Sequence, residues 1–345
     1  MVDIRKTYTT RYDVLRNGVR VAELLALTPA SIDFQSAGEI PVSMSAAFRD
    51  DARVDWLQDE IQPIQIIDGV ESPVAVLIPA TFRQETDDNG AASIRVEAYD
   101  RCYRLRSTTT QSRLHFSAGT PYLQAVKELL ADAGIVLYIE TPSTLSLATD
   151  REDWPIGTSY LTIINALLSE INYDSISFDP TGAAVLRPSR TPSAANVDHE
   201  YRSGFGVLAR QTMRETDAFD APNVFIVICS NPDYDEPLVA ISVNDNPGSK
   251  LSTVSRGRKI TRVTQVSNIA DQQSLQDYAD RLKMESMLSL ETATIYTDNL
   301  PGHGVRDVVA LWHPDLSGIY LETGWNMVLE PGQRMTHTLQ KEVLL

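Results

Sequence analysis

The hydrophobic pattern of this chain changes period near residue 100, and that change limits the folds open to it more than any single motif does. In residues 94–99, Ile94, Val96 and Ala98 alternate with Arg95, Glu97 and Tyr99, the period-two signature of a strand with one buried face. The strand ends at Asp100. Beyond Thr108, Thr109 and Thr110 the apolar residues fall three and four apart, which is helical spacing. An all-β region therefore hands over to a part-helical one, and a domain junction is expected close to residue 106.

The first region reads as short strands joined by tight turns. Tyr12, Val14 and Leu15 run into Asn17-Gly18, and Val19 and Val21 follow; Asn-Gly suits a two-residue hairpin because both positions accept positive φ. Segments 42–50 and 52–67 read as extended, up to the turn at Asp68-Gly69, after which Val74, Val76 and Ile78 alternate. Residues 86–90, TDDNG, predict a second hairpin between a strand around Phe82 and the one at Ile94.

From Thr120 the pattern is helical. Thr120 suits a cap, Pro121 the first helical position, and Leu123, Val126, Leu129, Leu130 and Ala133 share a face before Gly134 stops the helix. A second helix follows Gly157-Thr158-Ser159, with Tyr160, Leu161, Ile163, Ile164, Leu167, Leu168 and Ile171 on its buried stripe. Asp179-Pro180-Thr181-Gly182 then turns a hairpin. Residues 189–203, rich in Ser, Pro, Ala and Arg, read as a connector. Residues 223–230 read as a central strand buried on both faces, 237–245 as its partner across a loop, and 260–267 as a further strand. A long helix is expected near 272–290, then a strand from Glu291, then four short strands with turns at His313-Pro314, Ser317-Gly318 and Pro331-Gly332. The division is 1–106, 107–190 and 191–345: two β regions around a helix-helix-hairpin insert.

Composition narrows function. The 345 residues carry 46 acidic against 30 basic side chains, net −16, so a surface built to grip phosphates is not expected and nucleic acid should be repelled. Cys102 and Cys229, far apart and in no CxxC pattern, imply neither a disulfide framework nor a thiolate metal site; both read as buried apolar residues. No stretch has the length of a signal-peptide core or a membrane span, so a protein retained in the cytosol of its maker is expected.

Candidate chemistry is sparse. His303, His313 and His337 share the last region with Asp307 and Asp315, and imidazole with carboxylate suits zinc. No HExxH-like spacing occurs, His303 lies in the turn PGHG, and turn or edge-strand histidines are the expected outcome. Asn231, Asp233, Asp235 and Glu236 resemble the opening of a calcium loop, but the sixth-position glycine is missing and Ser242 stands where a bidentate Glu is needed. That excludes an EF-hand and leaves a looser calcium site beside the plainer reading of a solvated hairpin tip at residues 231–236. Asp50-Asp51 and Asp87-Asp88 are sequence neighbours, which in a strand point to opposite sides and cannot act as an acid and base pair. Residues 255–259, SRGRK, are the one basic cluster and read as a local turn or ion-pair element. No Gly-rich phosphate cradle or nucleophile motif is present. No catalytic, cofactor-binding or metal residues are therefore expected, and no cofactor.

Several segments together resemble a known family. Residues 54–82, 96–105 (VEAYDRCYRL), 157–189, 217–228 (DAFDAPNVFIVI), 242–258 and 300–312 (LPGHGVRDVVALW) are similar, in this order, to the tail hub proteins of tailed bacteriophages, which include contractile-baseplate hubs and minor tail proteins. The resemblance implies an α+β, β-rich chain with two tail-tube-like β-barrel domains joined by a smaller mixed α/β domain. It implies a homotrimer that adapts the sixfold tail tube to threefold symmetry. The partners would be a distal tail or tail-tube protein above, a spike or fibre protein below and a tape-measure protein, with DNA passing through without specific binding. The expected place is the virion tail tip, after assembly in the host cytoplasm. The chain ends soon after the second β region, so the spike or fibre is expected to be a separate protein. A cell-wall-degrading tail enzyme and a carbohydrate-binding receptor module are the alternatives.

Overall fold

A computed structural model describes residues 7–86, 92–152, 154–203, 221–230, 236–288, 291–314 and 316–341. Strands β1 (Tyr8–Arg16) and β2 (Val19–Leu24) form the expected hairpin, with Asn17 at φ 53 and Gly18 at φ 76. β2 runs on through Leu25 into β3 (Ala26–Gln35), and the Leu25 carbonyl accepts from Arg49 N–H at 2.8 Å, at the end of β4 (Val42–Arg49). One strand path thus serves two sheets. β5 (Glu60–Ile67) and β6 (Val70–Pro73) meet at the Asp68-Gly69 turn, and β7 (Ile78–Thr86) and β8 (Ala92–Tyr99) follow. The predicted hairpin tip around Asp87-Asp88 lies outside the described residues.

The first sheet has the order β2-β1-β5-β6, and β3, β4, β8 and β7 continue a larger one. Val14, Phe34, Phe48, Ile61, Leu77 and Val96 belong to one buried apolar cluster across the two sheets. The alternation read from residues 94–99 is exposed as expected: Ile94, Val96 and Ala98 are buried, and Arg95 and Glu97 face out. Residues 52–59, expected as strand, form turns instead. The Asp59 carboxylate accepts from Asp55 N–H at 2.8 Å and from the Arg16 guanidinium at 2.7 Å, which curls the chain and tucks Trp56 inward.

Ahead of the insert comes α1 (Cys102–Ser107), which the sequence did not suggest because six residues hold too little periodicity. Asp100 starts it, accepting from Cys102 N–H at 2.9 Å. In α2 (Tyr122–Asp132) the cap residue is Pro121, not Thr120. Thr120 is held outside by the hydrogen bond of Leu147 N–H to its carbonyl, 2.9 Å. After β9 (Tyr138–Glu140), α3 (Tyr160–Glu170) starts at Ser159, whose hydroxyl accepts from Thr162 N–H at 3.2 Å. β10 (Ser177–Phe178) and β11 (Ala184–Leu186) form the expected hairpin, and the small sheet runs β10-β11-β9.

The supposed connector contains a strand, β12 (His199–Arg202), whose pairing is parallel and distant and so left no local pattern. β13 (Val224–Cys229) is central between β14 (Leu238–Val243) and β15 (Thr261–Val266), with α4 (Thr253–Arg256) between the last two. It is buried on one face, not both: Val227 and Cys229 cluster with Leu275 and Ala279 of α5 (Gln272–Leu288), while Ile226 and Ile228 are partly open. β16 (Glu291–Asp298), β17 (Val308–Trp312), β18 (Gly318–Val328) and β19 (Arg334–Lys341) complete the chain.

The expected four short strands at the end are three, because residues 318–328 form one strand with a register shift between Glu322 and Gly324. Before the shift β18 pairs with β17; after it, Gly324 to Val328 pair with Gln35 to Ser31 of β3. Gly324 suits the close approach there, since a Cβ would sit a tight 3.1 Å from the Phe34 carbonyl oxygen. The first and last β regions thereby share one hydrogen-bonded sheet of nine strands. Among the described residues no sheet closes into a barrel.

Candidate functional site

Turn or edge-strand histidines were expected, but His303 and His337 meet His199 in a cluster in the interior. β12 supplies His199 and Tyr201, the loop before β17 His303 and Asp307, β16 Thr297, β18 Glu322 and β19 His337. β19 is paired on both sides, to β16 and β18, so His337 is neither a turn nor an edge residue. Glu322, at the register shift, accepts from His303 Nδ1 at 2.7 Å and from His337 Nδ1 at 2.5 Å. The other ring nitrogens meet hydroxyls: Tyr201 at 2.6 Å from His303 Nε2, Thr297 at 2.7 Å from His337 Nε2. His199 stacks on His303 with ring centres 3.9 Å apart and puts Nε2 3.0 Å from Asp307.

Burial would raise the Glu322 carboxyl, but the hydrogen bonds from His303 and His337 outweigh it and hold it below its ordinary value. Burial lowers His337, against the pull of Glu322. For His199 burial also acts to lower, yet the bond to Asp307 prevails and the imidazole is raised. The centre is thus an ionised carboxylate held by two Nδ1–H donors. Glu322 and His337 are 0% exposed. The adjoining cavity, beside Phe34, His303 and Trp325, is about 20 Å³, the space of a single water. Glu322, His303 and His337 are buried while His199 is partly exposed, and the network ties β12, β16, β18 and β19 together at the register shift.

The same side chains have the donor types of a zinc site: His303, Glu322 and His337 form one group of ligand atoms within 4.8 Å, and His199, His303 and Asp307 another. Every nitrogen of His303 and His337 is engaged in the hydrogen-bonded network. His313 is elsewhere, in the turn closed by Ser317, and Asp315 lies outside the described residues. So do Asn231, Asp233 and Asp235 of the possible calcium loop. His199, Tyr201 and Glu322 went unnoticed in the sequence, since 138 positions separate His199 from His337 and no local spacing links them.

The other candidates are structural. Asp50 accepts from Gln84 at 2.9 Å, and Asp51 pairs with Arg53 at 2.6 Å, which holds its carboxyl down at about 2. In SRGRK, Ser255 and Arg256 end α4 and Gly257 adopts φ 63 as its stop. Cys102 and Cys229 are buried thiols, as expected. Two buried ion pairs brace the insert: Arg101 to Glu60 at 2.6 Å, and Arg151 to Glu170 at 2.7 Å with Arg151 over Trp154. Arg101 also donates to the Gly182 carbonyl at 2.6 Å, clamping the β10–β11 turn to β5.

No protein-family model matches the chain, and no curated protein matches it. Solved structures do. A tail protein from Neisseria meningitidis is similar over 96% of both chains, at 15% identity and a TM-score of 0.66. The 43 kDa tail protein of prophage MuSo2 from Shewanella oneidensis is similar over 98% of this chain and 100% of its own, at 10% identity and a TM-score of 0.66. A prophage tail protein from Listeria monocytogenes is similar over 96% and 95%, at 11% identity and a TM-score of 0.59. At these identities the likeness is one of fold, and the fold is that of phage tail proteins. No helix among the described residues is long and apolar enough to cross a membrane.

Proposed function

We propose that this chain is the structural hub at the distal end of a bacteriophage tail: a homotrimeric ring that joins the sixfold tail tube to a threefold spike or fibre and lets DNA pass. The observation that carries the reading is the match of fold along essentially the whole of two tail proteins and the whole of this chain. In this reading residues 1–106 and 191–345 are two tube-like β domains, built to curve into a ring, and 107–190 is an accessory domain on their flank. The neighbours would be a distal tail or tube protein above and a spike or fibre protein below, with a tape-measure protein before DNA release, in a particle assembled in the host cytoplasm.

A non-enzymatic role is preferred to a cell-wall hydrolase because the best-organised acid and base groups, around Glu322, are sealed from solvent. The test is copy number. Mass measurement or imaging of tail tips containing this chain is expected to give three copies in a closed ring; one or six copies overturns the symmetry-adapting role.

A further inference from the structure

One face of the β14-β13-β15 sheet packs on α5; on the other Val224 is buried, while Ile226 and Ile228 are partly open. Register places Ile226 beside Ile241 and Val263, and Ile228 beside Val239, so these five β-branched side chains form one continuous patch. Ile241 is 53% exposed, Val263 57% and Val239 47%. Several hundred Å² of contiguous apolar surface is the size that marks interaction sites on soluble proteins. Among the described residues β14 and β15 each have one paired neighbour.

The end of this sheet where β13 and β15 begin and β14 finishes is basic. Residues 245–262 carry Lys250, Arg256, Arg258, Lys259 and Arg262 against Asp245 alone, in a chain of net −16. Lys250, Arg258, Lys259 and Arg262 are exposed.

The opposite combination occurs in the insert. β9 is the edge strand of its sheet, and the consecutive residues Val136, Leu137, Tyr138 and Ile139 are 72%, 58%, 44% and 54% exposed. Unprotected apolar edges of this kind are where chains pair with one another. Its rim is acidic: residues 127–140 hold Glu128, Asp132 and Glu140 against Lys127.

We infer that the basic-ended apolar face of β13, β14 and β15 docks the acidic-rimmed β9 edge of a second copy of this chain. Each patch is apolar at its centre, and the charges at the rims are opposite. The acidic surplus of the chain favours a copy of itself as the source of the complementary charge, and the aliphatic centre favours protein over nucleic acid. Because the two patches are different surfaces, the contact is head-to-tail, and repetition of such a contact closes a ring when the rotation permits. The inference rests on the ring-forming reading above and names the surfaces that would make the ring.

Two full-length variants, Val263→Cys and Ile139→Cys, test it when co-expressed and treated with a short bismaleimide, since Cys102 and Cys229 are buried. The expected product is the mixed cross-link, at least tenfold over either homotypic one, lost when Ile241→Lys is added to the Val263→Cys chain. Ile241→Lys is expected to keep the melting temperature of the parent, because the position is open to solvent. Predominance of the Val263→Cys homotypic product, or no mixed product at the highest attainable concentration and in assembled tips, overturns the assignment. So does retention of duplex DNA at physiological salt that Arg258→Glu abolishes. Three copies per tip without the mixed cross-link would leave the hub intact and reject these surfaces; a mixed cross-link with another copy number would do the reverse.

Discussion

His337 Nδ1 lies 2.5 Å from Glu322 Oε1, and neither side chain touches solvent. The pair sits where β18 changes partner from β17 to β3, so a carboxylate and an imidazole fix the point at which the two β regions join. A buried ion with two donors is costly to disturb, because the donors are left without an acceptor.

Glu322→Gln is expected to destabilise the protein by about 2 kcal/mol at neutral pH in urea unfolding. The ordinary glutamate value is 4.5 and the folded value is lower, so the carboxylate's contribution is complete above that value and is lost as pH falls through the folded one. The gap between wild type and variant should therefore narrow below about pH 4.5. His337 adds a second acid-sensitive share. Its folded value lies below 6.5, so the unfolded chain takes up a proton first, and this share falls away as pH drops below 6.5. His199 opposes it: with its folded value raised, its contribution is present below the ordinary 6.5 and is lost as pH rises through the folded value. A variant whose unfolding curves overlay wild type across this range would remove the network from the account of stability.

Asp100 has the opposite sign to Glu322. Burial pushes its carboxyl up to about 7 from 3.8, against the hydrogen bonds from Cys102 and Val42. The folded chain keeps a proton that the unfolded chain releases, so stability falls as pH rises from about 4 to 7, by up to about 4 kcal/mol. Asp100→Asn, which keeps an oxygen for Cys102 N–H, should lack that slope. Parallel stability-versus-pH curves for the two proteins would show that Asp100 titrates normally.

The Arg101–Glu60 clamp predicts a coupling. Glu60 is 4% exposed, and Arg101→Met leaves its buried charge with Arg104 alone, at 3.3 Å, at a cost of up to about 3 kcal/mol. Adding Glu60→Gln should recover part of the loss, giving a coupling of about 1–2 kcal/mol in a double-mutant cycle. The single variant should also speed proteolysis near 179–182, because Arg101 holds the Gly182 carbonyl. Additive effects would mean that the clamp carries no energetic weight.

Purified protein is expected to carry substoichiometric zinc and calcium, with a melting temperature indifferent to chelator. A bound metal that holds the fold would lower the melting point on removal. One tightly held ion per chain with that behaviour would reassign His303, Glu322 and His337 as ligands.

Local pattern served well where packing is local. Asn17-Gly18, Ser159 and the stripe of α3 were legible because a turn or a helix is decided by residues within a few positions of one another. The alternation at Ile94 was legible because β8 has one buried face. The histidine network was not, since its members come from four strands and a loop, and a histidine's partners across a sheet leave no spacing to read. β13 was misjudged for a related reason: an unbroken aliphatic run looks the same whether its second face meets a helix or stays open.

The shared strand also sets an order of events during synthesis. Asn326 Nδ2 donates to Ser31 Oγ across 295 positions of sequence. Translation at about 5–20 residues per second delivers β18 roughly 15–60 s after β3 has left the ribosome. For that interval the edge of β3 that β18 will occupy lacks β18. The first β region therefore reaches its finished form last, when nearly the whole chain has been made.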